Sequence, residues 1–246
     1  MNRASTPILI AGVVLVAAAL LPAAAQPADT TPAGQVLRDC RDCPEMIVVP
    51  AGRFILGSDE LGNNERPAHE VTIAKPFAIG VDPVTFAQWH ACVTAKACTH
   101  SPPRWGRRED EPVLSVSWDD IANEYLPWLR KTTGKDYRLP SEAEWIYATR
   151  DTSFGLRDPG ESTREWVEDC YRSSYDGAPV DGSARTADCE PATYGPGLLR
   201  VARGTERNIT PPSVSHIMPP LIAVARGAGA SGFRDKTRGF RLARSL

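Results

Sequence analysis

Six cysteines are the residues of this chain best suited to redox or metal chemistry. They are Cys40, Cys43, Cys92, Cys98, Cys170 and Cys189. An even number of cysteines in an exported chain favours disulfides over free thiols. The simplest pairing is local, 40–43, 92–98 and 170–189, although the spacing alone leaves other pairings open. Cys40-x-x-Cys43 has the spacing of a redox motif, but no βαβ pattern surrounds it, so we expect a structural bond there.

Histidines are the next candidates for metal ligands. The chain has four, at positions His69, His90, His100 and His216. A non-haem iron site uses two or three histidines, often with a carboxylate. No two of these histidines are spaced i, i+4, so the spacing favours no iron site among them.

Clustered carboxylates offer acid–base chemistry or a site for a hard cation. The densest cluster is Glu165, Glu168 and Asp169. Two uses of this cluster are open: it could bind calcium through Glu165, or it could form ion pairs with Arg164 and Arg172. A structural role is favoured over general acid–base catalysis, and we assign no catalytic residue.

Composition and motifs exclude several functional classes. The formal net charge is −2 and no stretch has a marked basic excess, so nucleic acid is a poor partner. The sequence contains no nucleophile elbow, phosphate loop or His-Glu-x-x-His motif. Its 22 prolines and 19 glycines favour a loop-rich fold.

The first 25 residues have the layout of a secretory signal peptide. Arg3 precedes an uncharged apolar run from Ile8 to Leu21, and Ala23-Ala24-Ala25 provides an A-x-A cleavage site. The alternative is a membrane anchor, but this run falls short of the about 20 residues that cross a bilayer. We therefore expect a secreted or periplasmic protein with no membrane span once residues 1–25 are removed.

The remaining chain predicts one domain rather than two. Residues 26–42 read as a disordered lead-in, and residues 43–246 as a single domain. Short apolar runs predict strands near 46–50, 53–56, 69–73 and 76–79. Helices are expected to begin at the capping residues Thr85, Ser117 and Ser141, and Pro127 is expected to kink or end the second of them.

Seven blocks in chain order carry a family likeness. They lie at 46–54, 65–71, 112–118, 137–145, 165–167, 200–204 and 238–241. The most diagnostic is Arg138-Leu139-Pro140-Ser141-Glu142-Ala143-Glu144-Trp145. Together the blocks resemble the formylglycine-generating enzyme (sulfatase-modifying factor) family. The resemblance implies a loop-rich α+β variant of the C-type lectin fold, which the cysteines would stabilise through disulfides.

One departure from the family pattern concerns its chemistry. Aerobic members of that family oxidise a cysteine with a copper-binding cysteine pair close to the C-terminus. The corresponding stretch here, Asn208 to Ser213, reads Asn-Ile-Thr-Pro-Pro-Ser, and no cysteine follows Cys189. Because Cu(I) requires soft thiolate ligands, we predict neither a copper site nor copper-dependent formylglycine formation.

The other departures concern calcium and a turn. The stretch between Arg150 and Phe154 is much shorter than in the family, where it commonly carries an Asn-rich calcium site. Of the residues that form a second calcium site in the family, this chain keeps only Glu165. A residual calcium ion at Glu165 is therefore one alternative. The family's Arg-Gly-Gly-Ser-Trp becomes Arg203-Gly204-Thr205-Glu206-Arg207.

Three functional hypotheses follow from the resemblance and its departures. The first is a binding or scaffold module for a protein, peptide or glycan. The second is an oxidoreductase of the wider family, which includes iron-dependent enzymes and enzymes that tailor siderophores, with a metal site that we do not locate. The third is a damaged paralogue of low stability. The departures favour the binding module and the damaged paralogue over the oxidoreductase.

Overall fold

The computed structural model describes residue 1 and residues 31–60, 62–158, 163–204 and 226–246. The predicted signal peptide at 1–25 lies outside the described residues apart from Met1. Among the described residues, no helix has the length and apolar character needed to cross a membrane.

The described part contains short strands and few helices. In chain order the strands are β1 Val36–Leu37, β2 Met46–Val49, β3 Gly52–Leu56, β4 His69–Ile73, β5 Phe77–Gly80, β6 Tyr137–Arg138, β7 Arg164–Cys170, β8 Leu199–Arg203, β9 Arg226–Ala230, β10 Arg238–Phe240 and β11 Ala243–Ser245. The α-helices are α1 Phe86–Thr94, α2 Trp118–Asp120, α3 Leu126–Thr133 and α4 Glu142–Arg150. Single 3₁₀ turns cover Asn63–Glu65 and Thr152–Phe154, and a π-helical turn covers Ile121–Tyr125. The loop-rich α+β class is confirmed.

Three sheets organise these strands. One has the order β1-β2-β5-β11-β6, a second has the order β10-β7-β8-β9, and β3 pairs with β4 as a hairpin. The first sheet is antiparallel throughout, whereas β10 lies parallel to β7 in the second. Because β11 lies between β5 and β6, this sheet combines the first strands in the sequence, β1 and β2, with the last one.

The first sheet is buried on both faces, which explains the continuous apolar run of β2. Successive side chains of a strand point to opposite faces. Met46 on β2 and Ala78 on β5 belong to one hydrophobic core, while Ile47, Val49 and Ile79 belong to the other. The sheet therefore separates two cores, and its central strand β2 needs apolar residues at every position.

Three side-chain caps start the helices at the predicted residues. Thr85, Ser117 and Ser141 each accept a hydrogen bond from the backbone N–H three residues on, in complete capping boxes. Pro127 does not end the second helix: it occupies the first turn of α3, where its missing N–H is tolerated. A π turn precedes it, with Leu126 N–H bonded to the Ile121 carbonyl, so the distortion lies before the proline.

The ordered domain begins earlier than residue 43. Within the expected lead-in, Val36 and Leu37 form β1 and pair with Ile47 and Met46 of β2. The disulfide from Cys40 to Cys43 follows directly. Residues 36–42 are thus tied to the first sheet by backbone pairing and a covalent bond, which corrects the boundary expected from composition.

All three disulfides follow the local pairing: Cys40–Cys43, Cys92–Cys98 and Cys170–Cys189. The six cysteines of the chain all lie in the described part, and none of them is free.

Candidate functional site: a buried acid–arginine cluster

The densest group of buried charges joins α4 to the second sheet. We call Glu65, Glu142, Tyr175, Arg203 and Arg226 the acid–arginine cluster. Glu142 is the first residue of α4, directly after its cap. Arg203 ends β8, Arg226 begins β9, and the two are register partners. The cluster therefore lies where the described residues stop at Gly204 and resume at Arg226.

The carboxylate of Glu142 lies at the centre of the cluster. Its Oε1 accepts hydrogen bonds from Arg226 Nε at 2.8 Å and Arg203 Nη1 at 3.3 Å. The Tyr175 hydroxyl donates to the same oxygen at 2.9 Å. Glu65 Oε1 accepts from the Arg226 backbone N–H at 3.0 Å and faces Arg203 Nη1 at 3.4 Å. Each acid therefore contacts both arginines.

The electrostatics of the cluster follow from burial and pairing. Burial alone would raise the pKa of Glu142, but the charges of Arg226 and Arg203 outweigh burial and hold this pKa below its ordinary value. Burial and the Glu142 charge raise the pKa of Tyr175 well above its ordinary value. Glu142 is therefore ionised and compensated at neutral pH, and Tyr175 is a neutral hydrogen-bond donor.

Asp169, on β7, borders the cluster and titrates differently. Its Oδ2 accepts from the Glu142 backbone N–H at 2.6 Å, and its Oδ1 accepts from the Arg185 backbone N–H at 2.8 Å. Burial, followed by repulsion from Glu142, raises the pKa of Asp169 to about 7. The pocket that Asp169 and Glu142 line measures about 20 Å³, room for one water molecule and too small for a substrate.

Glu165, the predicted calcium ligand, is fully buried on β7. Its Oε2 accepts from Arg241 Nε at 2.6 Å and from Trp145 Nε1 at 2.8 Å, and its Oε1 accepts from Arg241 Nη2 at 2.7 Å. Arg241 is its ion-pair partner, rather than the expected Arg164 or Arg172. Because both oxygens face donors, this geometry does not favour a cation, and the calcium site stays a prediction.

The described histidines lie apart. His69 donates from Nδ1 to the Pro67 carbonyl at 2.9 Å, and His100 donates from Nε2 to the Ser115 carbonyl at 2.8 Å. His90 is exposed on α1, and His216 lies outside the described residues. The described residues contain no group of three or more histidines, cysteines or acids able to hold a metal ion.

The expected position of the catalytic cysteine pair, Asn208 to Ser213, also lies outside the described residues. The sequence contains no cysteine there.

Sequence reasoning missed most of the acid–arginine cluster. Glu142 and Arg203 lie in blocks that carried the family likeness, but nothing in those blocks indicated that they form an ion pair. Arg226 is a lone arginine before a Gly/Ala strand, and Tyr175 lies in a polar loop, so neither gave a signal. The cluster arises because β8 and β9 pair and place Arg203 and Arg226 beside Glu142, the first residue of α4.

Comparisons with known proteins agree with the fold and the motifs. The family model of the sulfatase-modifying factor enzyme 1-like domain matches residues 32–154, half of the chain. The chain is 28% identical to the formylglycine-generating enzyme of Streptomyces coelicolor, over 55% of this chain and 56% of that enzyme. It is 32% identical to the serine/threonine-protein kinase Pkn1 of Chlamydia trachomatis, over 47% of this chain and 21% of the kinase. The chain thus spans between a fifth and little more than half of these relatives.

Solved structures are similar over a larger share of the chain. PvdO from Pseudomonas aeruginosa matches with a TM-score of 0.74 and 30% identity, over 88% of this chain and all of that one. Treponema denticola variable protein 1 matches with a TM-score of 0.59 at 19% identity, which supports the fold alone.

Proposed function

We infer that this chain, which belongs to the family of the sulfatase-modifying factor enzyme 1-like domain, serves as an exported binding module without copper-dependent formylglycine-forming activity. One observation carries the proposal: all six cysteines of the chain are held in disulfides. Copper chemistry at a cysteine pair needs two thiolates. This chain has none to offer while its disulfides are intact.

The contacts within the acid–arginine cluster support a structural role for its residues rather than a catalytic one. Its two acids and two arginines compensate one another, and the adjoining pocket has room for a single water. A catalytic base needs a free acceptor next to space for a substrate. Oε1 of Glu142 already accepts from three donors and the pocket beside it has room for one water, so we infer that the cluster joins α4 to β8 and β9 instead.

Export is part of the same proposal. Three disulfides persist in oxidising compartments such as the periplasm or the extracellular space. The predicted signal peptide at residues 1–25 supports the same location. Fractionation of cells that express the full chain tests this part: the mature protein should appear outside the cytoplasm with Gln26 as its first residue.

The chemical part is tested with the exported protein, its disulfides intact. It is loaded with Cu(I) under air and incubated with a peptide containing Cys-x-Pro-x-Arg, and the product is examined for the aldehyde by mass spectrometry. The formylglycine-generating enzyme of Streptomyces coelicolor is the positive control. We expect unchanged peptide; turnover that depends on this chain would overturn the proposal.

Metal analysis of the same sample tests the alternative, an oxidoreductase of the wider family that uses non-haem iron or another metal. The protein is purified without chelator and without a metal-affinity tag. Stoichiometric iron or copper would replace the binding module by that alternative. Stoichiometric calcium would instead support the residual calcium alternative at Glu165 and leave the binding role standing.

A further inference from the structure

The disulfide between Cys170 and Cys189 joins a buried cysteine to a partly exposed one. Cys170 ends β7 and is 0% exposed, whereas Cys189 is only partly buried. By contrast, Cys92 and Cys98, which form another disulfide, are both buried. Exchange with an external thiolate requires access to one sulfur of the bond. At the 170–189 bond that sulfur belongs to Cys189, so Cys170 would be the leaving group.

A cationic side chain lies beside the leaving sulfur. Arg200 of β8 is the register partner of Cys170 on β7. Its Nη1 lies 3.6 Å from Cys170 Sγ and also donates to the Glu168 carbonyl at 3.1 Å. Its guanidinium stacks on the Trp118 ring, 3.8 Å from the ring centroid. Strand pairing, a backbone acceptor and an aromatic ring thus hold the arginine against the sulfur.

The positive charge of Arg200 is not taken up by an ion pair. Among the residues that the structure describes, no carboxylate pairs directly with its guanidinium; its Nη1 contacts are the carbonyl and the sulfur. Burial lowers the pKa of Arg200, and the charges of Glu168, Asp119 and Asp169 act in the opposite direction from a greater distance. An arginine keeps its charge at neutral pH in such surroundings. The charge is therefore available to the neighbouring sulfur.

This arrangement favours a thiolate at the buried position. Burial alone disfavours a thiolate, whereas an adjacent arginine favours it. A better stabilised leaving thiolate makes thiol–disulfide exchange faster. In the described part of the chain, no hydrogen-bond donor contacts a sulfur of the other two disulfides, Cys40–Cys43 and Cys92–Cys98. The 170–189 bond therefore differs from them in its leaving group.

The 171–188 loop, which this bond closes, reaches the acid–arginine cluster. The Tyr175 hydroxyl donates to Glu142 Oε1 at 2.9 Å. The Arg172 carbonyl accepts from Arg226 Nη1 at 2.6 Å. When the disulfide opens, the covalent closure is lost, and only such hydrogen bonds and side-chain packing hold the loop. The state of the bond is thus coupled to how firmly the loop contacts the cluster.

We propose that Cys170–Cys189 is an exchangeable disulfide that an external dithiol attacks at Cys189, and that its opening loosens the 171–188 loop. The attacking thiolate forms a bond to Cys189 Sγ, the protein disulfide breaks, and its electron pair goes to Cys170 Sγ beside Arg200. The second thiol of the dithiol then displaces Cys189 from the mixed disulfide. The dithiol is oxidised, the protein disulfide is reduced, and the two thiol protons pass to the two cysteines.

The test follows each disulfide of the exported mature protein during reduction with dithiothreitol. Free thiols are alkylated at timed intervals and assigned by peptide mass spectrometry. We expect the 170–189 bond to open about tenfold faster than either of the other two. Glutathione, a monothiol, should be trapped as a mixed disulfide on Cys189 while Cys170 is alkylated. Trypsin should cleave after Arg172 faster once the bond is open.

Variants at Arg200 separate stabilisation of the leaving thiolate from a merely structural role. Arg200→Gln should slow the opening of this bond about tenfold, and Arg200→Lys, which keeps the charge, should restore most of the rate. If Arg200 only supported the fold, its loss would expose the bond and speed the reaction instead. Arg172→Gln is the matched control, because Arg172 is exposed on the same loop and donates to the Asp188 carbonyl rather than to sulfur.

Several results would overturn the proposal. They are equal opening rates for the three disulfides, unchanged or faster opening in Arg200→Gln, glutathione bound to Cys170, and unchanged trypsin cleavage of the reduced protein. The inference goes beyond the proposed binding role. Because the exchange assay contains neither copper nor a substrate peptide, its failure and the failure of the proposed function are distinguishable.

Discussion

Replacing Glu142 by glutamine should destabilise the fold more than any ordinary surface change. Glu142 is 3% exposed and its Oε1 contacts Arg226 Nε, Arg203 Nη1 and the Tyr175 hydroxyl. Glutamine keeps the size and one acceptor oxygen but removes the negative charge. Two buried guanidinium groups would then face Glu65 alone, which leaves one positive charge without compensation.

The size of the effect follows from this uncompensated charge. Removing one partner of a buried pair costs about 3–5 kcal/mol, because the other charge stays buried. For a chain of this length, that corresponds to a fall in melting temperature of roughly 6–20 °C. Since the pKa of Glu142 is below its ordinary value in the folded state, its contribution is complete above that ordinary value. This contribution is lost as the pH falls through the pKa of Glu142 in the folded state. The difference in melting temperature between wild type and Glu142→Gln should therefore narrow at acidic pH.

The assay is thermal unfolding followed by circular dichroism, with the disulfides intact. Glu70→Gln is the matched control, because the Arg53–Glu70 pair spans 3.9 Å and is 71% and 60% exposed. That control should change the free energy of unfolding by less than about 1 kcal/mol. If Glu142→Gln cost no more than Glu70→Gln, the reasoning that the cluster holds α4 to the sheet would be refuted.

Two more predictions test the neighbouring charges and the second sheet. Because burial and Glu142 raise the pKa of Asp169 to about 7, the folded state holds this proton more tightly than the unfolded state, so stability falls as the pH rises from the ordinary value through about 7. Asp169→Asn should therefore flatten the fall in melting temperature between about pH 5 and about pH 8, and an unchanged profile would contradict this assignment. Gly229→Ala would place a methyl group into Arg238 Nη1 and 2.5 Å from the Trp166 ring, and urea unfolding should show a loss of about 1–3 kcal/mol. Gly227→Ala meets no heavy atom closer than 3.0 Å and is the milder control; equal losses for both would speak against the close packing at Gly229.

The elements that the sequence predicted well are those whose signals are local. The run 69–73 forms β4 with the expected bounds, and the caps Thr85, Ser117 and Ser141 start helices as expected. An N-cap is specified by residues three positions apart, so it can be read without knowledge of the fold. The short strands β10 and β11 gave no such signal, because their pairing with β7 and β5 depends on segments about 70 to 170 residues away.

The candidate site was harder to predict for the same reason. Reasoning from neighbours in the chain gave Glu165 the partners Arg164 and Arg172. Its actual partner, Arg241, is 76 positions away and reaches it from the turn between β10 and β11. Ion pairs between distant residues are decided by strand order, which the charges themselves do not encode.

The residues that carried the family likeness now have a physical explanation in this chain. Arg138 binds the Glu144 carboxylate through both of its Nη atoms and so fixes the start of α4. Trp145 of the same block donates to Glu165, which pairs with Arg241 of the last block. Three blocks that are far apart in sequence are thus one connected structural network. A network of this kind demands those residues whether or not a reaction takes place, whereas copper chemistry demands free thiolates. The motifs therefore account for the fold, and the pairing of every cysteine in a disulfide supports the proposal that the chain lacks copper-dependent activity.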